Sequence, residues 1–234
     1  WLLSCDVGKL IVGISTLLFL FILITGLILW WPKTKAIFKQ RLNIKFAAGW
    51  KRINHDLHIV LGFYTAIFLF IFAFTALAWS FQWFNDGIYT VTNSTKEQPK
   101  PPISSYETLN NKLVKVDSVY RLAKATIQEA QYYTIQLPKD SLGVFTVLVL
   151  TKTALHETAT DSYYFNQYSG NLLNSVKFAD KNLGQRVRAN FKPIHLSSIF
   201  GLPSKIIGFI VCLLGVSFPI TGTIMWLNRI KKKK

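Results

Sequence analysis

Residues Leu57 to Phe81 read LHIVLGFYTAIFLFIFAFTALAWSF and contain no Asp, Glu, Lys or Arg. A helix rises about 1.5 Å per residue, so about 20 residues cross the roughly 30 Å hydrocarbon layer of a bilayer. Lys9 to Trp31 and Ile206 to Leu227 are of similar length and are also nearly free of charge. Rings that settle at the headgroup level mark the ends of the runs: Trp30, Trp31, Trp79, Trp83 and Trp226. The sequence therefore predicts three membrane-spanning helices rather than three buried helices of a large soluble protein.

The composition combines many apolar residues with a large positive charge. Half of the residues are hydrophobic, while 27 Lys and Arg against 11 Asp and Glu give a net charge of +16. The cations gather between the first two spans and after the third: Lys33, Lys35, Lys39, Arg41, Lys45, Lys51, Arg52, Arg229 and Lys231 to Lys234. Short loops rich in Lys and Arg stay in the cytoplasm and suit an anionic inner leaflet. Membrane topology therefore explains the charge, and we predict no nucleic-acid partner.

This topology predicts the order of segments along the chain. Residues 1–31 form the first span from outside to inside, 32–56 a cytoplasmic loop, 57–82 the second span, 83–194 an extracytoplasmic domain, 195–228 the third span and 229–234 a cytoplasmic tail. Because Trp1 then lies outside, we expect an upstream part with at least one more span. Cys5 at the outer mouth of the first span and Cys212 inside the third lie at different depths, so no disulfide is expected.

The extracytoplasmic segment is predicted to be a small α+β domain. A polar linker over 93–105 precedes a helix over 116–130, which Asp117 or Ser118 is placed to cap. The apolar and β-branched runs predict antiparallel strands over 132–137, 144–150, 162–168 and 172–178. The segment has no nucleophile–base pair, Gly-rich phosphate loop or cluster of metal ligands, so we predict binding or positioning rather than catalysis and name no catalytic residue.

The three spans share one pattern, in which Gly is followed 12 or 13 residues later by Thr and a small residue. Gly62 leads to Thr75 and Gly208 leads to Thr221. Small residues let helices approach closely, and a Thr hydroxyl bonds to its own helix or to a neighbour. The repeat by itself predicts a tightly packed bundle, in which Pro219 kinks the third span.

Chemistry depends on four histidines. His156 lies in a polar hairpin connection and is predicted to be solvated. His55 and His58 lie at the inner start of the second span, and His195 lies at the outer start of the third. An interfacial His is ordinarily a polar tip among the headgroups, but ionisable residues at the edge of a bundle also mark functional sites.

Imidazole is a standard axial ligand for haem iron in helix bundles. Gly62 follows His58 on the same helical face and leaves room for a flat macrocycle. His55 is three residues before His58 and cannot lie opposite it on one iron, so we interpret His55 as a bystander or a neighbouring proton donor. A six-coordinate haem needs a second His from another helix, which the upstream part is expected to supply.

The residues resemble the PepSY-associated transmembrane family over nearly the whole chain. The resemblance is carried by Asp56-Leu57-His58 running into Val60-Leu61-Gly62, by the Thr-Gly spans with Trp30-Trp31-Pro32, and by Ile194-His195 with Thr221-Gly222 and Trp226. The run Tyr163-Tyr164-Phe165 with Tyr168-Ser169-Gly170-Asn171 is similar to the closing strands of a PepSY domain.

The resemblance implies a fold and an activity. Full-length members are typically four-span bundles with extracytoplasmic PepSY modules, and some are inner-membrane reductases of ferric siderophores that hold two b-type haems. The implied axial ligands are His58 at the inner face and His195 at the outer face, each with a partner His upstream. The start Trp1-Leu2-Leu3-Ser4-Cys5-Asp6 departs from this pattern because it contains no His.

The expected activity is therefore haem-dependent electron transfer in a bacterial inner membrane, from a quinol or cytoplasmic donor to a periplasmic ferric siderophore or similar chelate. The basic stretch Arg186, Arg188 and Lys192 is expected to meet anionic lipid or an anionic chelate. An alternative is a non-enzymatic, membrane-anchored PepSY module that binds or regulates a peptidase or other envelope protein. A transporter is disfavoured because the spans lack buried ionisable residues apart from edge residues such as Asp56.

Overall fold

A computed structural model describes residues 6–105 and 113–231. Trp1 and Cys5 lie outside the described residues. The helices are α1 (Asp6–Trp30), α2 (Lys35–Arg41), α3 (Trp50–Ser80), α4 (Gln82–Val91), α5 (Val116–Thr126), α6 (Leu183–His195) and α7 (Leu202–Lys231). The strands are β1 (Ala130–Gln136), β2 (Val144–Thr151), β3 (Asp161–Asn166) and β4 (Leu172–Val176).

Three of these helices, α1, α3 and α7, are long and apolar enough to cross a membrane. The predicted spans are thus confirmed as helices, and the chain is a multi-pass membrane protein with an α+β domain. The chain divides into two compact units, one of Trp1–Phe84 with Ile194–Lys234 and the other of Asn85–Pro193. The kink at Pro219 stays a prediction.

In the helical unit, α3 is the central element. Leu20 of α1 packs into a buried cluster with Ala73 and Leu77 of α3. Trp30, at the other end of α1, stacks on Phe63 of α3 with ring centroids 3.8 Å apart. The helix α7 also packs against α3, so α3 contacts both α1 and α7.

In the second unit, four strands form an antiparallel sheet in the order β1-β2-β3-β4. Alternate β2 residues point toward α5 because successive side chains of a strand face opposite sides. The resulting core contains Val119, Ala123, Ile127, Phe145, Val147, Val149 and Phe165. The predicted helix on a small antiparallel sheet is confirmed.

Two local features of α5 differ from the predictions. The helix α5 ends at Thr126, four residues early, because the chain must enter β1 at Ala130. Its N-cap is Lys115, without a side-chain cap bond, rather than Asp117 or Ser118. The linker over 93–105 is hydrogen-bonded at both ends: Gly184 N donates to Ser94 Oγ, and Gln167 N donates to Ser104 Oγ.

Candidate functional site

His58 lies near the N-terminal end of α3 and contacts α7. Its Nδ1 is 2.8 Å from Thr221 Oγ1. The Thr221 hydroxyl has one hydrogen, which it donates to Ser217 O at 3.0 Å, as helical Thr side chains commonly do. The hydroxyl oxygen therefore accepts the Nδ1–H of His58, so that in the neutral ring the proton lies on Nδ1 and Nε2 carries the lone pair.

His195 repeats this arrangement near the other end of α3. It is the last residue of α6, and α7 begins at Leu202 after a turn in which Ser197 has a φ of 53°. His195 Nδ1 donates to the carbonyl oxygen of Phe72 at 2.9 Å. Thr75 Oγ1 is 3.3 Å from the same Nδ1, while its own hydrogen goes to Ile71 O at 2.8 Å.

Both rings are thus held through Nδ1. At His195 the acceptor is a carbonyl oxygen, which only accepts hydrogen bonds, and at His58 the Thr221 hydroxyl already donates its hydrogen to Ser217 O. No group in the described part of the chain hydrogen-bonds to Nε2 of His58 or His195. A metal-ligating imidazole needs this arrangement, in which the non-ligating nitrogen donates to a nearby oxygen and orients the ring. The two histidines therefore fit an axial ligand role by their donor chemistry.

The surroundings of His58 also leave room beside the ring. A Cβ added at Gly62, one turn along α3, would meet no atom within 4 Å. A Cβ added at Gly222 of α7 would lie 3.3 Å from His58 Cε1. The α7 backbone therefore approaches one side of the imidazole closely, while the space at Gly62 is not filled by other residues.

The N-terminal end of α3 carries two further buried polar side chains. Asn54 is 1% exposed and donates from Nδ2 to Thr221 O at 3.1 Å, one helical turn before His58. Asp56 is 3% exposed, lies 2.8 Å from Arg52 Nε and accepts from Lys45 N at 3.2 Å. His55 is half-exposed and lies 3.4 Å from Asp56 rather than at the Thr221 contact.

The prediction for His156 was wrong. His156 is 7% exposed, its Nδ1 is 2.9 Å from Thr158 Oγ1, and its ring packs edge-on against Phe178. Burial lowers the pKa of His156 below its usual value. A hairpin of polar sequence was expected to project into solvent, but Thr158 donates to Ala189 O at 2.7 Å and fastens it to α6.

The basic stretch of α6 divides into two environments. Arg186 and Lys192 are exposed, whereas Arg188 is partly buried and donates from Nε to Asn85 Oδ1 at 2.6 Å. Burial lowers the pKa of the Arg188 guanidinium. Arg186 and Lys192 are therefore the cations of this stretch that remain accessible to an anion.

The family model of the PepSY-associated TM region matches residues 1–229. The chain belongs to the PepSY-associated transmembrane family. The match covers both compact units. The family pattern therefore includes the second unit (Asn85–Pro193), called the sheet domain below, as well as the spans. No curated protein matches the chain.

The Gly-to-Thr repeat predicted a packing role for Thr75 and Thr221. It did not predict that Thr75 contacts His195 and Thr221 contacts His58. The signal was present in the repeat, because each Thr follows a span Gly by 13 residues. The spacing alone does not say which Thr faces a His, since this depends on how α3 and α7 pack. No group of three or more His, Cys, Asp or Glu within the described ranges is placed to hold a metal ion.

Proposed function

We propose that this PepSY-associated protein holds b-type haem and moves electrons across a bacterial inner membrane to a periplasmic ferric chelate of the siderophore type. The single observation that carries the proposal is the matched pair of imidazoles, His58 and His195. Each has its Nδ1 bonded to an oxygen of another helix, and no hydrogen bond within the described residues reaches its Nε2.

The chain's own residues would orient the ligands. Thr221 holds His58, and the Phe72 carbonyl with Thr75 holds His195. These bonds fix the neutral tautomer that presents Nε2 and restrain ring rotation. Haem iron, when bound, carries one electron at a time by cycling between Fe(III) and Fe(II).

The spacing along α3 supports two separate sites. His58 and Phe72 are 14 residues apart on one helix, which corresponds to about 21 Å along its axis. A pair of sites at that separation suits a relay from an inner donor, a quinol or a cytoplasmic reductant, to an outer acceptor. Reduction releases iron from a chelate of hard oxygen ligands, because Fe(III) is the harder cation.

The absorption spectrum of the full-length protein tests this proposal. We expect Soret and α bands in the haem-supplied, purified protein, and a loss of about half of the haem in each of His58→Ala and His195→Ala. His55→Ala is the matched control, because His55 shares the helix end with His58 but not its Thr221 contact. His156→Ala tests whether the remaining histidine of the sequence contributes to haem binding.

A haem-free spectrum, or unchanged haem content in both His58→Ala and His195→Ala, would overturn the proposal. The protein would then fit the alternative, a membrane-anchored PepSY module that acts by binding. That alternative predicts that both substitutions leave function intact and that the sheet domain captures an envelope partner.

A further inference from the structure

A cavity of about 210 Å³ lies between α2 and the inner end of α3. One face of α2 lines it with Ile37, Gln40 and Arg41, whose spacing of three and four residues puts them on one side of the helix. The α3 side is formed by Arg52, His55, Asp56, Ile59 and Val60. The cavity is separate from the Thr221 contact that holds His58.

The polar wall of the cavity favours an anion. Arg41 donates from Nη1 to the carbonyls of Leu29 and Trp30 at the end of α1, and its guanidinium has five N–H groups, so donors remain. The Asp56 carboxylate is already compensated by Arg52 and by Lys45 N. Arg52 uses its Nε on Asp56, while its side chain lines the cavity and is 37% exposed.

The apolar wall of the cavity favours a lipid rather than a soluble anion. Ile59 and Val60 lie about one turn further along α3 than His55, toward the apolar part of the span. Exposed rings at the same inner end, Phe46 and Trp50, are typical of the headgroup level. Polar groups at the aqueous end and aliphatic groups beyond them match the boundary between a headgroup and its acyl chains.

We propose that this cavity between α2 and α3 binds the phosphate group of an anionic phospholipid, with Arg41 and Arg52 as its guanidinium donors. Arginine suits this role because its planar donors pair with phosphate oxygens. Ile37 and Ile59 contact the first acyl methylenes. Basic pockets at the cytoplasmic ends of spans bind such headgroups.

Native mass spectrometry of the full-length protein tests the site with phosphatidylglycerol and phosphatidylcholine of identical acyl chains. We expect retention of phosphatidylglycerol and about tenfold weaker binding in Arg41→Gln, the loss of one charge-assisted hydrogen-bond partner. Lys39→Gln is the matched control, because it removes the same charge from an exposed α2 position that does not line the cavity. It should bind like the unmodified protein.

Arg41 also bonds to the end of α1, so Arg41→Gln can fail to fold. Ile37→Trp then decides the question, because it fills the cavity and leaves every charge in place; we expect it to weaken phosphatidylglycerol binding about tenfold as well. Equal retention of the two lipids, equal losses in Arg41→Gln and Lys39→Gln, or unaltered binding in Ile37→Trp would overturn the proposal. Displacement of the lipid by inorganic phosphate at the same concentration would also overturn it, in favour of a soluble anion.

Discussion

At the scale of single residues, the two histidines differ in what holds them. His58 Nδ1 has one oxygen partner, Thr221 Oγ1, whereas His195 Nδ1 has both Phe72 O and Thr75 Oγ1 within reach. A side-chain substitution does not remove the Phe72 carbonyl that accepts from His195. Substitution of Thr221 removes the hydroxyl that holds His58, so the His58 site should be the more sensitive to loss of its Thr.

Thr221→Val should therefore weaken haem binding at the His58 site. Outer-sphere hydrogen-bond partners of a metal-ligating His are typically worth about 10- to 100-fold in affinity. Thr75→Val should have a smaller effect, because the Phe72 carbonyl still accepts from His195. Haem titration of the haem-depleted, full-length protein, followed by absorption, measures both effects.

Thr25→Val is the control for these two variants. Thr25 occupies the same position of the span repeat, but its hydroxyl donates to Phe21 O and the described residues place no His beside it. It should bind haem like the unmodified protein. Equal losses in Thr25→Val and Thr221→Val would show that the hydroxyls serve helix packing rather than histidine orientation.

His156 makes the stability of the sheet domain depend on pH. Burial lowers the pKa of His156 in the folded protein, whereas the unfolded chain takes up this proton near pH 6.5. The free energy of unfolding should therefore fall as pH drops below about 6.5, because the unfolded state binds more protons. Burial favours the neutral ring, and the neighbouring Glu157 opposes this effect only in part.

Amide hydrogen exchange over residues 152–160 at pH 7 and pH 5 measures this effect locally. After correction for intrinsic exchange rates, protection should be lower at pH 5 in the unmodified protein. His156→Gln should show a smaller difference, because the amide does not titrate in this range. The same pH difference in His156→Gln would assign the sensitivity to another group.

At the scale of elements, the sequence predicts most of what burial and lipid contact dictate. Leu57 to Phe81 identifies a span by length alone, and the alternation in β2 identifies a strand with a buried face. The short helix α2 was not predicted, although Thr34 Oγ1 accepts from Ile37 N as a capping signal. Seven residues are too few for a clear apolar period.

Contacts between elements could not be predicted from the sequence. The Thr221 contact with His58 joins residues 163 positions apart. The burial of His156 depends on Phe178 and Ala189, which are also distant in the chain. The sequence predicted which histidines are candidate ligands. Which atoms contact each ring depends on how the helices pack and on how the hairpin docks against α6.

The close approach of α1 to α3 gives a prediction at this scale. A Cβ added at Gly13 would lie 2.7 Å from Phe81 Cζ and 3.0 Å from Ser80 Cβ. Gly13→Val should therefore destabilise the helical unit by about 1–3 kcal/mol, the usual cost of overpacking. Thermal unfolding of the purified protein in detergent is the measurement.

Gly26→Val is the control in the same helix. A Cβ at Gly26 meets no atom within 4 Å, and the same β-branched side chain is introduced in both variants. Gly26→Val should unfold close to the unmodified protein. Equal destabilisation by both variants would contradict the close contact at Gly13.

At the scale of the whole molecule, α3 connects the two candidate sites. It carries His58 near its N-terminal end, and its Phe72 carbonyl and Thr75 hydroxyl hold His195 near the other end. The helix α7 supplies Thr221, which contacts His58. The proposed electron transfer therefore requires both histidines at once, whereas the alternative, binding by the sheet domain, requires neither.

Reduction across a sealed membrane tests this dependence most directly. Full-length, haem-loaded protein is reconstituted in liposomes with a membrane-impermeant reductant inside and a ferric siderophore with an Fe(II)-specific dye outside. The side exposed to the reductant is established by protease accessibility of the sheet domain. We predict dye formation with the unmodified protein and its loss in His58→Ala and in His195→Ala, while His55→Ala keeps the rate. No external Fe(II) from the haem-loaded protein, or equal rates in all three variants, would contradict the proposed electron path.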